Sequence, residues 1–366
     1  MALKLLKSIS KKRNISAGKI SPDKIKNILI VRQHNQLGDM LCSLPLFAAV
    51  RKKFSNAEIT LVASPDNFEI LNSPSNKYID HIILYKKDSP KSLLSFYNKL
   101  KKRKYDIGIV PSTVSFSKTS HLINHLSGAK IRVGVSKTLT KDGHMINESD
   151  FLLDIKKEFS WDKEKIHQWQ RNLSIGEEIG CRLSQEEIQN VSLNLSRSEI
   201  SFAEKFYSSY FSNDDNIFIG LHIGAGKPPN RWSAKNFVEL AKKLTENKKV
   251  KLLVSIGPMD YEAADDFKRQ AAAQKLKMVF IENEKIRNLA AILSKLDLYI
   301  TNDTGTMHVA GFVKTKLISL FGPTPGWEWA PRFANQHYLQ SASGDINEIS
   351  PVEVFKESQK VLKLIF

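Results

Sequence analysis

The chain of 366 residues holds only two cysteines, Cys42 and Cys181, which lie far apart in apolar or mixed segments. They suggest neither a disulfide framework nor a thiolate metal site, and they fit a reducing cytoplasm. No apolar run approaches the roughly 20 residues that span a bilayer, so a transmembrane anchor is not expected. The start, MALKLLKSISKKRN, is basic, but Lys4 and Lys7 break its short apolar portion and no small-residue cleavage site follows, which argues against a secretory signal. Acidic residues are scarce as well: 38 Asp plus Glu stand against 55 Lys plus Arg, a formal charge of +17. No Asp-x-Asp pair occurs, which removes the usual ligands for a metal-bridged diphosphate. Walker loops, nucleophile elbows, zinc-finger spacings and recognisable RNA-binding motifs are also missing.

What is present is a folded-protein composition, 42% hydrophobic and 25% charged, in a chain longer than one average domain. The basic excess predicts attraction to something acidic: nucleic acid, phospholipid head groups or a phosphorylated substrate. It is clustered in part, because residues 86–104 carry eight Lys or Arg against one acidic residue. At the start, Leu3, Leu6 and Ile9 recur at helical spacing among Lys4, Lys7, Lys11, Lys12 and Arg13. That segment reads either as a solvated extension or as a helix lying on an anionic membrane surface.

Short β-branched runs alternate with amphipathic segments: NILIVRQ, AEITLVAS, YIDHIILYK, YDIGIVPS and AKIRVGVS in the first half, IFIGLHIGAG, VKLLVSIGP, KMVFIEN, LDLYITND and KLISLFGP in the second. This rhythm predicts α/β architecture with parallel sheets, doubly wound, in two Rossmann-like domains. A polar, helix-rich stretch from about 151 to 212 interrupts it, and SSYFSNDDN at 208–216 reads as a linker. The expected division is a basic extension 1–26, a first domain 27–212, a second domain 213–345 and a final helix 346–366.

Ligands of doubly wound sheets sit beyond the carboxyl ends of the strands, so the strand-to-helix loops carry the candidates. After LDLYIT, Thr304, Gly305 and Thr306 open a helix whose N–H groups, hydroxyls and dipole suit a phosphate. Asp303 heads that loop, either capping the helix or accepting hydrogen bonds from sugar hydroxyls. His308, on the first turn, is either a packing residue or a phosphate contact. In GAGKPPNRW, Gly224 and Gly226 permit close approach of a ligand while Lys227 and Arg231 offer charge for a diphosphate. Pro228 and Pro229 break the dinucleotide fingerprint, so this is not read as an NAD site. In FGPTPGWEWAPR, Trp327 and Trp329 form either a wall for a ring or part of the core. Near the start, RQHNQLGDML places Asp39 at a turn where a phosphate loop would avoid negative charge; it reads as a helix cap or as a general base. His121 and His125 in HLINH resemble half a zinc site but lack the adjacent Glu and a third ligand, and are assigned to structure.

Three blocks together, ILIVRQHNQLGDMLCSLPLFAAVRKKFSNAEITLV, HIGAGKPPNRWSAKNFVELAKKL and ITNDTGTMHVAGFVKTKLISLFGPTPGW, resemble the heptosyltransferase family of glycosyltransferases, family nine, in order and spacing across most of residues 27–345. The resemblance implies a GT-B fold with a central cleft, and metal-independent, inverting transfer with no cofactor. It implies ADP-heptose as donor and an anionic lipopolysaccharide core acceptor at the cytoplasmic face of the inner membrane. The basic extension and residues 86–104 then face that glycolipid and its leaflet, peripherally and without nucleic acid. By the same resemblance Asp39 matches the proposed base, Asp303 the carboxylate on the donor sugar, and Thr304, Gly305 and His308 the diphosphate site, the two aspartates converging from opposite domains. A ribose-binding acidic residue is expected after VSIGP, with Glu262 preferred over Asp260. One position departs: where the family commonly has lysine two residues before the tryptophan of the middle block, this chain has Asn230, leaving Lys227 or Arg231 to supply the cation. Another nucleotide sugar serving a different surface glycan, or a non-enzymatic basic protein binding nucleic acid or lipid, are the alternatives.

Overall fold

The β-branched runs form strands buried along almost their whole length, as expected where helices cover a parallel sheet. The computed structural model describes residues 20–111, 116–140, 143–160, 165–211 and 215–363. Most of the expected basic extension, residues 1–19, lies outside them. Two compact units divide after Val191.

The first unit contains β1 (Asn27–Arg32), α1 (Leu37–Leu41), α2 (Leu44–Lys53), β2 (Glu58–Ala63), β3 (His81–Leu84), α3 (Pro90–Lys101), β4 (Ile107–Ile109), α4 (Lys118–Leu126), β5 (Ile131–Thr140), β6 (Gly143–Ile146), β7 (Ile155–Ser160), α5 (Gln168–Glu177) and α6 (Gln185–Asn190). Its sheet runs β3-β2-β1-β4-β5-β6, with β7 also paired to β5. The pairings are parallel except β5 with β6. The stretch expected to be helix-rich from 151 onward opens on a 3₁₀ turn, Asp150–Leu152, and then the strand β7 before its helices α5, α6 and, at Arg197–Tyr210, α7. Ile155 and Phe159 are buried while Lys156 and Glu158 are exposed, so the strand is too polar to stand out as a run.

The second unit contains α7 (Arg197–Tyr210), β8 (Ile217–His222), α8 (Ala234–Thr245), β9 (Val250–Ile256), α9 (Tyr261–Ala273), β10 (Met278–Glu282), α10 (Ile286–Leu293), β11 (Leu298–Asn302), α11 (Gly305–Phe312), β12 (Leu317–Phe321), α12 (Gly326–Trp329), β13 (Gln336–Gln340) and α13 (Pro351–Leu362). Its sheet is wholly parallel in the order β10-β9-β8-β11-β12-β13. Both sheets therefore reverse direction of growth beside their first strand, between β1 and β4 and between β8 and β11. Those switch points are where this architecture binds ligands.

The boundary expected after residue 212 falls at Ser192, and α7 is the reason. Glu199, on its first turn, takes both Nε and Nη2 of Arg287 at 2.7 Å, and the Tyr207 hydroxyl donates to Ile292 O at 3.1 Å. These bonds tie α7 to α10. Of the linker-like residues 208–216, those at 208–210 still belong to α7, and 212–214 lie outside the described residues. The final helix α13 is likewise part of this unit, with Val354 and Val361 in the core cluster that includes Trp232, Phe237 and Phe267.

Candidate active site

In the first unit the candidate residues gather where β1 ends. Arg32 closes that strand and is fully buried, and its Nη2 lies 3.2 Å from Asp39 Oδ1 while donating to the Asp39 carbonyl at 2.8 Å. Burial holds the Arg32 guanidinium below its ordinary value, with the charge of Asp39 opposing that drop. The N-cap of α1 is Gln36 and no side chain caps the helix, so Asp39 does not have the capping role left open by the sequence. The carboxylate is instead oriented by a guanidinium that the core immobilises.

Three further loops meet there. Asn67 donates to the His34 carbonyl, and Gln33 Nε2 reaches Ser117 Oγ at 3.2 Å and Ser120 Oγ at 3.4 Å. His34 is kept below its ordinary pKa first by burial, then by Arg32, with Asp39 pulling the other way and Lys87 adding a further lowering. Burial and the two cations Arg32 and Lys87 therefore all disfavour the charged form of His34.

In the second unit the loops after β8, β11 and β12 converge at the switch point. Thr304, with extended backbone, is the N-cap of α11 but makes no side-chain cap bond. Its hydroxyl instead pairs with Thr306 Oγ1 at 2.8 Å and lies 3.4 Å from Thr301 Oγ1. Gly305 starts the helix, so the first N–H groups and two hydroxyls sit at its positive end. Asp303 precedes the cap and does not cap the helix. Burial pushes its carboxyl above the usual range, countered by a hydrogen bond from Thr324 and the charge of Lys227. His308 is only 3% exposed, sits edge-on to Trp329 with ring centroids 6.4 Å apart, and is pushed down to about 4 by burial. It is a neutral imidazole packed beneath the loop.

Across the gap, Asn230 Nδ2 donates to Asp303 Oδ2 and to Thr324 Oγ1, each at 3.0 Å. Lys227 is exposed, and Arg231 reaches back to Ala225 O at 3.3 Å, with Glu262 at 3.9 Å. Glu262 itself is on the first turn of α9, 97% exposed. Asp260 is the opposite case: it is buried, accepts the Gly257 N–H at 2.8 Å and lies 3.6 Å from His222 Nε2. Gly224 makes room for it, since a Cβ there would fall 1.9 Å from Asp260 Oδ1. Asp260 thus carries a structural load that leaves Glu262 as the acidic group facing solvent.

A buried polar chain unseen in the sequence runs under this loop set. His222 Nδ1 lies 3.0 Å from Ser255 Oγ, which lies 2.8 Å from the Tyr299 hydroxyl. Tyr299 is pushed up to about 12, mainly by burial, and hydrogen-bonds onward to Thr306. Four residues scattered over three strands and a helix start give no local pattern; only the polar identity of Ser255 and His222 inside strand runs hinted at it. The remaining histidine pair is structural: His125 Nδ1 meets Arg132 and His121 Nε2 meets Asn147 Nδ2. Among the described residues no group of three or more His, Cys, Asp or Glu is arranged to hold a metal ion.

Two doubly wound units with these loops at their switch points are the fold of a GT-B glycosyltransferase. The family model described as Glycosyltransferase family 9 (heptosyltransferase) matches residues 93–357, and the chain belongs to that family. The loop of Asp39 precedes the matched segment. Lipooligosaccharide heptosyltransferase 2 of Campylobacter jejuni is 23% identical over 297 residues, 81% of each chain. Among solved structures, a family 9 glycosyl transferase of Veillonella parvula superposes with a TM-score of 0.76 at 22% identity, covering 92% of this chain and 97% of that one. The ADP-heptose lipopolysaccharide heptosyltransferase II of E. coli gives 0.71 at 21%, covering 93% and 99%. The protein is a glycosyltransferase, and the non-enzymatic alternative is set aside.

Proposed function

We propose that the protein transfers heptose from ADP-heptose to an anionic lipopolysaccharide core acceptor, with inversion and without a metal ion or other cofactor, at the cytoplasmic face of the inner membrane. The observation that carries this reading is the pair of aspartates at strand-end loops, neither used as a helix cap: Asp39 held by Arg32, and Asp303 beside the start of α11. Asp39 takes the proton of the acceptor hydroxyl. The oxygen attacks the anomeric carbon as the bond to the diphosphate breaks. The N–H groups at 304–306, the threonine hydroxyls, the α11 dipole and Lys227 or Arg231 receive the leaving ADP, whose ribose meets Glu262. Asp303 accepts hydrogen bonds from the sugar hydroxyls.

Purified protein incubated with ADP-heptose, GDP-sugars or UDP-sugars and a core acceptor tests the donor, and the anomeric configuration of the product tests inversion. Turnover is expected with ADP-heptose and to persist in EDTA. Asp39→Asn is expected to lower kcat by at least about 100-fold with donor affinity nearly unchanged. Near-normal turnover by that variant would remove Asp39 from the role of base.

A further inference from the structure

Asn230, in the loop after β8, is buried, with 6% exposure. Its one amide nitrogen bridges two loops, donating to Asp303 Oδ2 and to Thr324 Oγ1 at 3.0 Å each, while the Thr324 hydroxyl lies 3.4 Å from its Oδ1. The backbone fixes it from both sides. Its N–H donates to Lys227 O at 3.0 Å, closing the 3₁₀ turn Pro228–Asn230. Two residues on, the backbone N–H of Trp232 donates to Asn302 Oδ1 at 3.1 Å and its indole N–H to Ile349 O at 2.9 Å. A side chain clamped in this way has little freedom to leave Asp303.

We infer that Asn230 is a positioning residue for Asp303: its amide fixes one carboxylate oxygen without neutralising the charge, so that donor hydroxyls rather than a resident cation complete the carboxylate's shell. The inference rests on the proposed donor role of Asp303. A lysine at this position would set an ammonium against the same oxygen and form a charge-assisted pair, roughly twice as strong as a neutral hydrogen bond. An amide supplies only a dipole; burial is the largest influence on Asp303 and raises it above the ordinary carboxylate value, against a hydrogen bond from Thr324 and the charge of Lys227. The other charged or titratable groups nearby are Lys227 on the β8 loop, Arg231 directed toward Ala225 and Glu262, and His308 of α11, held neutral by burial. The consequence is a donor site that weakens on acidification, because a protonated Asp303 loses acceptor capacity.

The direct test is the pH titration of Asp303 by NMR of the full-length protein carrying ¹³C-labelled aspartate, its signal assigned by loss in Asp303→Asn. Asn230→Lys is expected to lower the midpoint by about one pH unit, and Asn230→Leu, which cannot donate, to raise it by about half a unit or more. In donor kinetics Asn230→Leu is expected to raise KM for the sugar nucleotide about 3- to 10-fold with a smaller change in kcat, and the acid limb of kcat/KM is expected to follow the NMR midpoint in each variant. Asn230→Ser, too short to reach Asp303, replaces the leucine variant if that one does not fold. Unmoved midpoints in the lysine and leucine or serine variants would overturn the inference, even if stability fell. If the midpoints move while the wild-type protein turns over no nucleotide sugar, the donor role of Asp303 fails and the electrostatic role of Asn230 stands.

Discussion

His121 and His308, buried in separate units, are each pushed from 6.5 down to about 4, in both cases mainly by burial. Between those values the unfolded chain binds protons that the native imidazoles refuse, so stability is complete above about pH 6.5 and is lost as pH falls toward 4. The full loss is up to roughly 3 kcal/mol per histidine. His121→Gln is expected to flatten the pH dependence of the urea midpoint over pH 6.5 to 4, and an unchanged slope would show that His121 does not titrate on unfolding. Gly224 makes a second residue-scale case. The methyl of Gly224→Ala would collide with a carboxylate that Gly257 and His222 hold in place, so a stability loss of about 1–3 kcal/mol and weaker ADP binding are expected. Thermal unfolding and ADP titration check it. Identity alone could not separate Asp260 from Glu262, since both are carboxylates two residues apart; only the fold makes one a buried strut and leaves the other in water.

At the scale of elements, the strands with continuous apolar runs were legible because burial on both faces requires such runs, and the candidate loops followed from strand ends. Ser233 is the N-cap of α8, accepting the Asn236 N–H at 3.2 Å. What was illegible had mixed polarity. β7 places three charged residues, Lys156 to Glu158, between its two buried apolar ones, Ile155 and Phe159, and α7 has a single fully buried residue, Ala203, so its allegiance rests on pairs such as Glu199 with Arg287 that are 88 positions apart. That allegiance has a measurable consequence. A fragment of residues 192–366 is expected to unfold cooperatively, whereas one of 213–366 leaves Arg287 without its carboxylate and is expected to lose about 3 kcal/mol or more. Equal unfolding midpoints for the two fragments would place α7 outside the second unit's fold.

At the scale of the whole molecule, the charge of +17 calls for a function beyond the chemistry of either loop set. Among the described residues no helix is long and apolar enough to cross a membrane. The proposed acceptor is an anionic glycolipid in a leaflet, which a cationic surface would attract. The exposed side of α3 suits such a contact, since Lys91 and Lys99 lie in the open, Lys101 and Lys102 follow, and Leu94 is 63% exposed among them. Each lysine near an anionic leaflet contributes about 1 kcal/mol, an attraction that fades over roughly 8 Å at physiological salt. The full-length protein is therefore expected to sediment with phosphatidylglycerol vesicles at low salt, to be released by about 0.5 M NaCl, and to ignore phosphatidylcholine. Reversing Lys91, Lys99, Lys101 and Lys102 to Glu together is expected to weaken vesicle binding by at least about tenfold while leaving transfer to a detergent-dispersed acceptor intact. Unchanged sedimentation of that variant would move the membrane contact to the basic residues before position 20, and equal binding to neutral vesicles would show that apolar insertion rather than charge holds the protein at the surface.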